Sequence, residues 1–117
     1  MDNSILYTKA YAFAVKVVKL YKELGKRKVE KALARQLLRS GTSIAANIAE
    51  AIGSISKREF TAKMSIAYKE TRETKYWLDL LHDTRDLGDK EHSEHFKDVD
   101  EIGGMLFSTI RKCRQPS

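Results

Sequence analysis

Three groups of side chains in this 117-residue sequence could do chemistry. The first is His92-x-x-His95, set among Glu91, Glu94 and Asp98. Two histidines one helical turn apart can face the same metal ion. A di-metal bundle, however, takes glutamates from two helices together with two Glu-x-x-His pairs. Glu70 and Glu73 offer carboxylates one turn apart, but neither is followed by a histidine at that spacing. The His92/His95 pair therefore reads as a solvated polar face, and no metal or other cofactor is expected. The second group is nucleophilic. Ser40 and Ser43 fall in the middle of a helical pattern with no histidine near them in sequence, and Cys113 reads as a small apolar filler near the C-terminus. Gly103-Gly104 lacks the surroundings of a phosphate-cradling loop. No catalytic residue is assigned, and the chain reads as something other than an enzyme.

The third group is cationic, and it is the strongest lead. Lys16, Lys19, Lys22, Lys26, Arg27, Lys28, Lys31 and Arg35 all come from the first helical hairpin, turn included, and could share one surface. Such a patch neutralises phosphates and releases counterions, so it would hold RNA or DNA without reading sequence. The alternative is an ordinary lysine-rich exterior that keeps the chain soluble or docks an acidic protein. The formal charge of +6 is uneven: residues 1–56 carry ten Lys/Arg against four Asp/Glu, whereas residues 57–117 carry twelve of each. Within the second half, Asp86 to Glu101 holds seven carboxylates against Lys90 and Lys97. An anionic partner on one face, or subunits meeting through opposite charges, would both fit this split.

Four helical segments must position these groups. At about 100° per residue, Leu6, Phe13, Val17, Leu20, Tyr21 and Leu24 share one arc, opposite Lys9, Lys16, Lys19, Lys22 and Lys26. The spacing predicts helices over about 4–24, 29–52, 57–86 and 90–114. Gly25 is expected to stop the first in a left-handed conformation. Ser56-x-x-Glu59 is a capping box for the third, with Ile55 and Phe60 as a hydrophobic staple. Phe96, Val99, Ile102, Leu106, Ile110 and Cys113 are expected to face inward from the fourth. Short connections favour an all-α, antiparallel up-down-up-down four-helix bundle in a single domain. Small residues around Gly41 would let a neighbouring helix come close, and Gly103-Gly104 marks close packing or a bend.

The second segment is unusual. Leu33, Leu37, Ile44 and Ile48 share a face, and Gln36, Ser43, Asn47 and Glu50 form a polar stripe beside it. Short polar groups at the edge of an apolar face call for hydrogen-bond partners. Arg39, Asn47 and Glu50 are expected to bond to Glu70, Arg72 or Glu73 of the third helix, within or between subunits, in a buried network that fixes register. Ile66, Trp77 and Leu80 lie away from the core face of that helix, either as a subunit contact or as part of a wide core.

The run Gln36–Glu50 resembles the four-helix-bundle family encoded in intervening sequences of 23S ribosomal RNA genes. Gln36, Arg39, Ser40, Ser43, Ile44, Asn47, Ile48, Ala49 and Glu50 match its pattern. Phe60, Ile66-Ala67, Glu70, Glu73 and Trp77-Leu78 match downstream, so that the likeness spans roughly Lys9 to Ile110. Ala51-Ile52 depart from it, since members usually carry a glycine just after the glutamate. The resemblance implies a ring-shaped homopentamer. It also implies kinship with the accessory variability proteins of diversity-generating retroelements, which share the bundle and a basic surface and engage nucleic acid and a reverse transcriptase. A reverse-transcriptase-like protein thus joins RNA, DNA and further copies of the chain among the expected partners.

No apolar run approaches the roughly 20 residues that cross a bilayer, so no membrane partner is expected. The single Cys113 fits a reducing compartment. Asp2 and the lysines inside the first apolar stretch argue against a signal peptide. A soluble, cytoplasmic protein is expected. Pro116 is the chain's one proline, so the interior is nowhere forced to break.

Overall fold

Apolar side chains recur every three to four residues along four stretches, and each stretch is a helix in the computed structural model, which describes residues 3–115. The helices are α1 (Ser4–Gly25), α2 (Lys31–Ile52), α3 (Lys57–Asp83) and α4 (Asp89–Arg114). Asp2 and Pro116 lie outside the described residues, among which there is no strand.

The helix ends show where local chemistry outweighs periodicity. At the start of α3, Ser56 Oγ accepts from the Glu59 backbone N–H at 3.0 Å, one half of the expected capping box. The staple does not form, because Ile55 is 96% exposed. α3 ends three residues earlier than the expected position 86. Arg85 adopts φ 66°, its N–H donates to His82 O, and the Asp86 N–H donates to Leu81 O at 2.8 Å. That pair of bonds satisfies the last carbonyls in a Schellman turn, whose left-handed position usually carries glycine. Gly25, where a left-handed stop was expected, instead has an ordinary φ and closes α1 as its last residue. α2 begins at Lys31 rather than at Val29, with Glu30 extended ahead of it. α4 begins at Asp89, and the Gly88 N–H donates to Glu91 Oε1 at 3.0 Å.

Neighbouring helices pack in the order α1, α2, α3, α4 and back to α1 around one apolar cluster. Val17, Leu37, Ile44, Met64, Leu78 and Leu106 are fully buried in it, and each contributes about 1.5–3 kcal/mol by leaving water. Ion pairs report the register between helices. Lys9 meets Glu101, Lys16 meets Asp98 and Arg27 meets Glu91, so partner numbers on α4 fall as those on α1 and the turn after it rise. Arg39 with Glu70, and Glu50 with Lys63, show the same descent between α2 and α3. The result is a rod of 51 × 20 × 20 Å.

Halfway along it the helices meet through small side chains. A Cβ on Gly41 would lie 2.9 Å from both γ-carbons of Val17 on α1. The adjacent Ser40 hydroxyl is fully buried and hydrogen-bonds Thr74 of α3 at 3.0 Å. One turn away, a Cβ on Gly103 of α4 would lie 3.2 Å from Thr71 Oγ1. α1–α2, α2–α3 and α3–α4 thus each close on a small residue at one level of the rod.

Gly41→Ala should lower stability by about 1–2 kcal/mol in urea denaturation. The stiff β-branched Val17 cannot yield, and overpacking exceeds the helix-propensity gain of about 1 kcal/mol. Gly104→Ala, where nothing lies within 4 Å of the new methyl, should instead raise stability by about 0.5–1 kcal/mol.

Candidate nucleic-acid interface

The cations of the first hairpin divide into two sets. Lys16 turns toward α4 and pairs with Asp98, and Lys26 pairs with Glu23 of its own helix at 3.1 Å. Arg27 reaches across the end of the rod to α4 as a fork: Nη1 donates to Glu91 Oε1 at 3.0 Å and Nη2 to Glu91 Oε2 at 2.7 Å. Its Nη1 also meets the Asp86 carbonyl at 3.1 Å. Such bidentate pairing is directional as well as favourable. The remaining five, Lys19, Lys22, Lys28, Lys31 and Arg35, are exposed and enter no ion pair among the described residues. One surface of eight cations was expected; three of the eight are occupied within the chain.

The fork shows in the electrostatics. Glu91 sits below the usual carboxylate value of 4.5, chiefly through its hydrogen bonds from Arg27, with partial burial opposing and the Gly88 N–H helping. Arg27 is correspondingly held more firmly protonated by the same hydrogen bond.

On the opposite flank lies the polar stripe of α2. Arg39 donates from Nη1 to Glu70 Oε2 at 3.1 Å, from Nη2 to Glu73 and from Nε to Gln36 Oε1 at 3.4 Å. Trp77 Nε1 donates to the same Glu73 oxygen at 3.2 Å, extending the group by one ring. The Arg39 side chain is 49% exposed, so the network lies at the surface and not in the interior, where it was expected. Its membership also differs from expectation. Asn47 Nδ2 donates to the Ser43 carbonyl at 2.8 Å, and Glu50 pairs with Lys63 at 3.2 Å, so neither reaches Glu70, Arg72 or Glu73. Ser43 Oγ donates to the Arg39 carbonyl at 2.6 Å, and Ser40 lies in the core against Thr74. Both hydroxyls are bound into the helix, an arrangement unsuited to a nucleophile.

The strip Ile66, Trp77, Leu80 is uneven. Ile66 is exposed, whereas Trp77 packs against the core cluster and Leu80 is half-buried. On α4 the histidines depart from a solvated face. His95 turns inward, 8% exposed, with Nδ1 2.7 Å from the Glu91 carbonyl and its ring edge toward Phe13. His92 stacks on Phe96 and on His82, with Nε2 2.7 Å from Asp79 Oδ1. Phe96, expected inward, is half-buried beside it, as is Cys113. Among the described residues no three His, Cys, Asp or Glu side chains converge as a metal would need.

A second set of cations was missed from the sequence. Lys57 and Arg58 at the start of α3 stand beside the end of α4, where Cys113 and Arg114 line the same shallow groove. Arg111 and Lys112 are exposed one turn before. Counting charge by halves of the chain hid this cluster, because the acids of Asp86–Glu101 cancel it in the sum although they sit toward the other end of α4. Counting by helix end would have found it.

No helix among the described residues is long and apolar enough to cross a membrane. The family model described as 23S rRNA-intervening sequence protein matches residues 2–108. A crystal structure described as a protein with unknown function from the S23 ribosomal protein family of Bacteroides thetaiotaomicron superposes with a TM-score of 0.88. It is 42% identical, over 91% of this chain and 98% of that one. No curated protein matches the chain significantly.

Glu91→Ala should cost about 1 kcal/mol at pH 7, a value discounted for the partly exposed pair. A carboxylate held below its unfolded value stabilises the fold above that value and loses the contribution as pH falls through the folded one. The gap between variant and wild type in thermal melts should therefore be constant above pH 4.5 and shrink toward zero in more acid solution.

Proposed function

We propose that this chain, which belongs to the 23S rRNA-intervening sequence protein family, is a non-catalytic, homo-oligomeric antiparallel bundle that holds RNA or DNA without sequence preference. The observation that carries the reading is the set of exposed cations without counter-ions, Lys19, Lys22, Lys28, Lys31 and Arg35. A surface charge that has an acidic neighbour within reach is usually paired with it, as Lys9, Lys16 and Arg27 are here. These five are spread along α1, its loop and the first turns of α2, with only Glu23 and Glu30 among them. Lysine stems of this length adjust to phosphates at variable spacing, which suits affinity without base readout. The descending register between helices supports the antiparallel bundle. Assembly as a ring, and as a pentamer, follows from what the resemblance to this family implies. A cytoplasmic site of action belongs to the same reading.

A protein scaffold is the second reading. The exposed apolar side chains Ile5, Tyr11 and Val15 on the outer face of α1 favour it, since such a row suits contact with a protein partner.

Filter binding of duplex DNA and structured RNA between 50 and 300 mM salt separates the two. With four or five phosphates neutralised per subunit, log affinity should fall against log salt with a slope of about −4 for duplex. Replacing Lys19, Lys22, Lys31 and Arg35 by Gln should flatten that slope by about one for each phosphate no longer neutralised. No retention of either nucleic acid at 50 mM salt would leave the scaffold reading.

A further inference from the structure

We infer that the groove between α3 and α4 is a separate contact for nucleic acid, one that stacks the unpaired bases of a single strand. It rests on the proposed nucleic-acid reading but stands on different residues, on the other side of the rod. The groove encloses about 680 Å³, within the range of small-ligand sites. Two aromatic rings form part of its walls. Tyr76 on α3 is 58% exposed and Phe107 on α4 is 49% exposed. Each ring rests against a second aromatic side chain. Tyr76 sets an edge against Trp77 at 4.9 Å, and Phe107 tilts onto Tyr68 at 5.9 Å. Rings held in place and open to water lose little conformational entropy on binding.

The floor between them is bare. Gly104 is exposed, and nothing lies within 4 Å of where its side chain would begin, whereas Gly103 beside it is buried against Thr71. A flat group can therefore approach α4 closely at this point. Cations stand beside the rings. Arg72 lines the groove, is exposed and enters no ion pair among the described residues, and the Arg111 guanidinium lies 5.9 Å from the centre of the Phe107 ring. The carboxylates present are already engaged: Asp100 holds Lys75 at 2.6 Å and Asp79 meets His92. The Lys75 ammonium offsets the repulsion of Asp100 toward a phosphate, and the outer lone pairs of both carboxylates can accept from base amino groups. Aromatic faces with neighbouring arginines and a bare floor are the chemistry that recognises a base with its phosphate, and every base has a face to stack. A duplex hides those faces, so the groove selects single strands.

The test is fluorescence anisotropy with a labelled 15-nucleotide oligothymidine and an abasic strand of the same length and charge. Wild type should prefer the base-bearing strand by on the order of 10-fold, the worth of one or two stacked bases. Tyr76→Leu/Phe107→Leu keeps apolar bulk but removes the rings. It should erase that preference while leaving the salt dependence, the circular dichroism and the sedimenting mass as in wild type. Each single replacement by Leu should lose part of the preference, so the inference does not hang on the double variant's folding. Equal affinity of wild type for the two strands overturns the groove and leaves the first-hairpin reading to its salt slope. Retained preference after neutralising Lys19, Lys22, Lys31 and Arg35, with the salt slope unmoved, sinks the hairpin reading and supports the groove. A ring-less variant that keeps the preference but changes assembly mass overturns the inference, because the face then meets another copy of the chain.

Discussion

The middle of α2 sets the geometry of everything else. Two consecutive residues there face different neighbours: Gly41 lets Val17 of α1 into van der Waals contact, and Ser40 shares a buried hydrogen bond with Thr74 of α3. A serine and a glycine are poor helix formers, and a helix that carries both at its centre gives up local stability. The compensation comes from packing, because neither approach is possible with a larger side chain. Thr71 and Gly103 repeat the device between α3 and α4. The fourth seam, α1 with α4, is different. It is crossed by Lys9–Glu101, Lys16–Asp98 and Arg27–Glu91, so that side chains rather than close backbones hold it.

That difference explains how a chain with an excess of cations organises them. The acidic stretch of α4 lies along one side of α1 and takes up the lysines and arginine that face it. The other side of α1 and the start of α2 have no acidic helix beside them, and their charges stay unpaired. Surface pairs of this kind add little to stability. Their larger effect is to sort the cations into those committed to the fold and those left to the solvent. The same sorting occurs at the far end, where Lys57, Arg58 and Arg114 cluster around the last turn of α4.

Much of the fold was legible because amphipathic spacing is a property of the chain itself. Leu37, Ile44 and Ile48 are buried where their period puts them, and Ser56 caps α3. What escaped depends on geometry between segments. Gly25 looked like the left-handed stop, yet Arg85 holds that conformation, because the turn after α3 must return Leu87 to the core within four residues. His95 turns inward because Glu91 supplies a carbonyl to its ring one turn back, a bond invisible until the helix is placed. The cations of the first hairpin were visible as a group. Which of them face α4 was not, since that requires knowing on which side of α1 the acidic helix packs. Glu50 and Asn47 likewise belong to the polar stripe, but their partners follow from the crossing of α2 with α3 and not from their spacing.

The rod's length has a consequence of its own. Its long axis measures 51 Å, close to fifteen steps of a duplex rising about 3.4 Å each, and bare positive charge stands near both tips. A polyanion laid lengthwise would be gripped at two stations about one and a half helical turns apart and left alone between them. Fragments too short to bridge the stations would lose the second grip entirely.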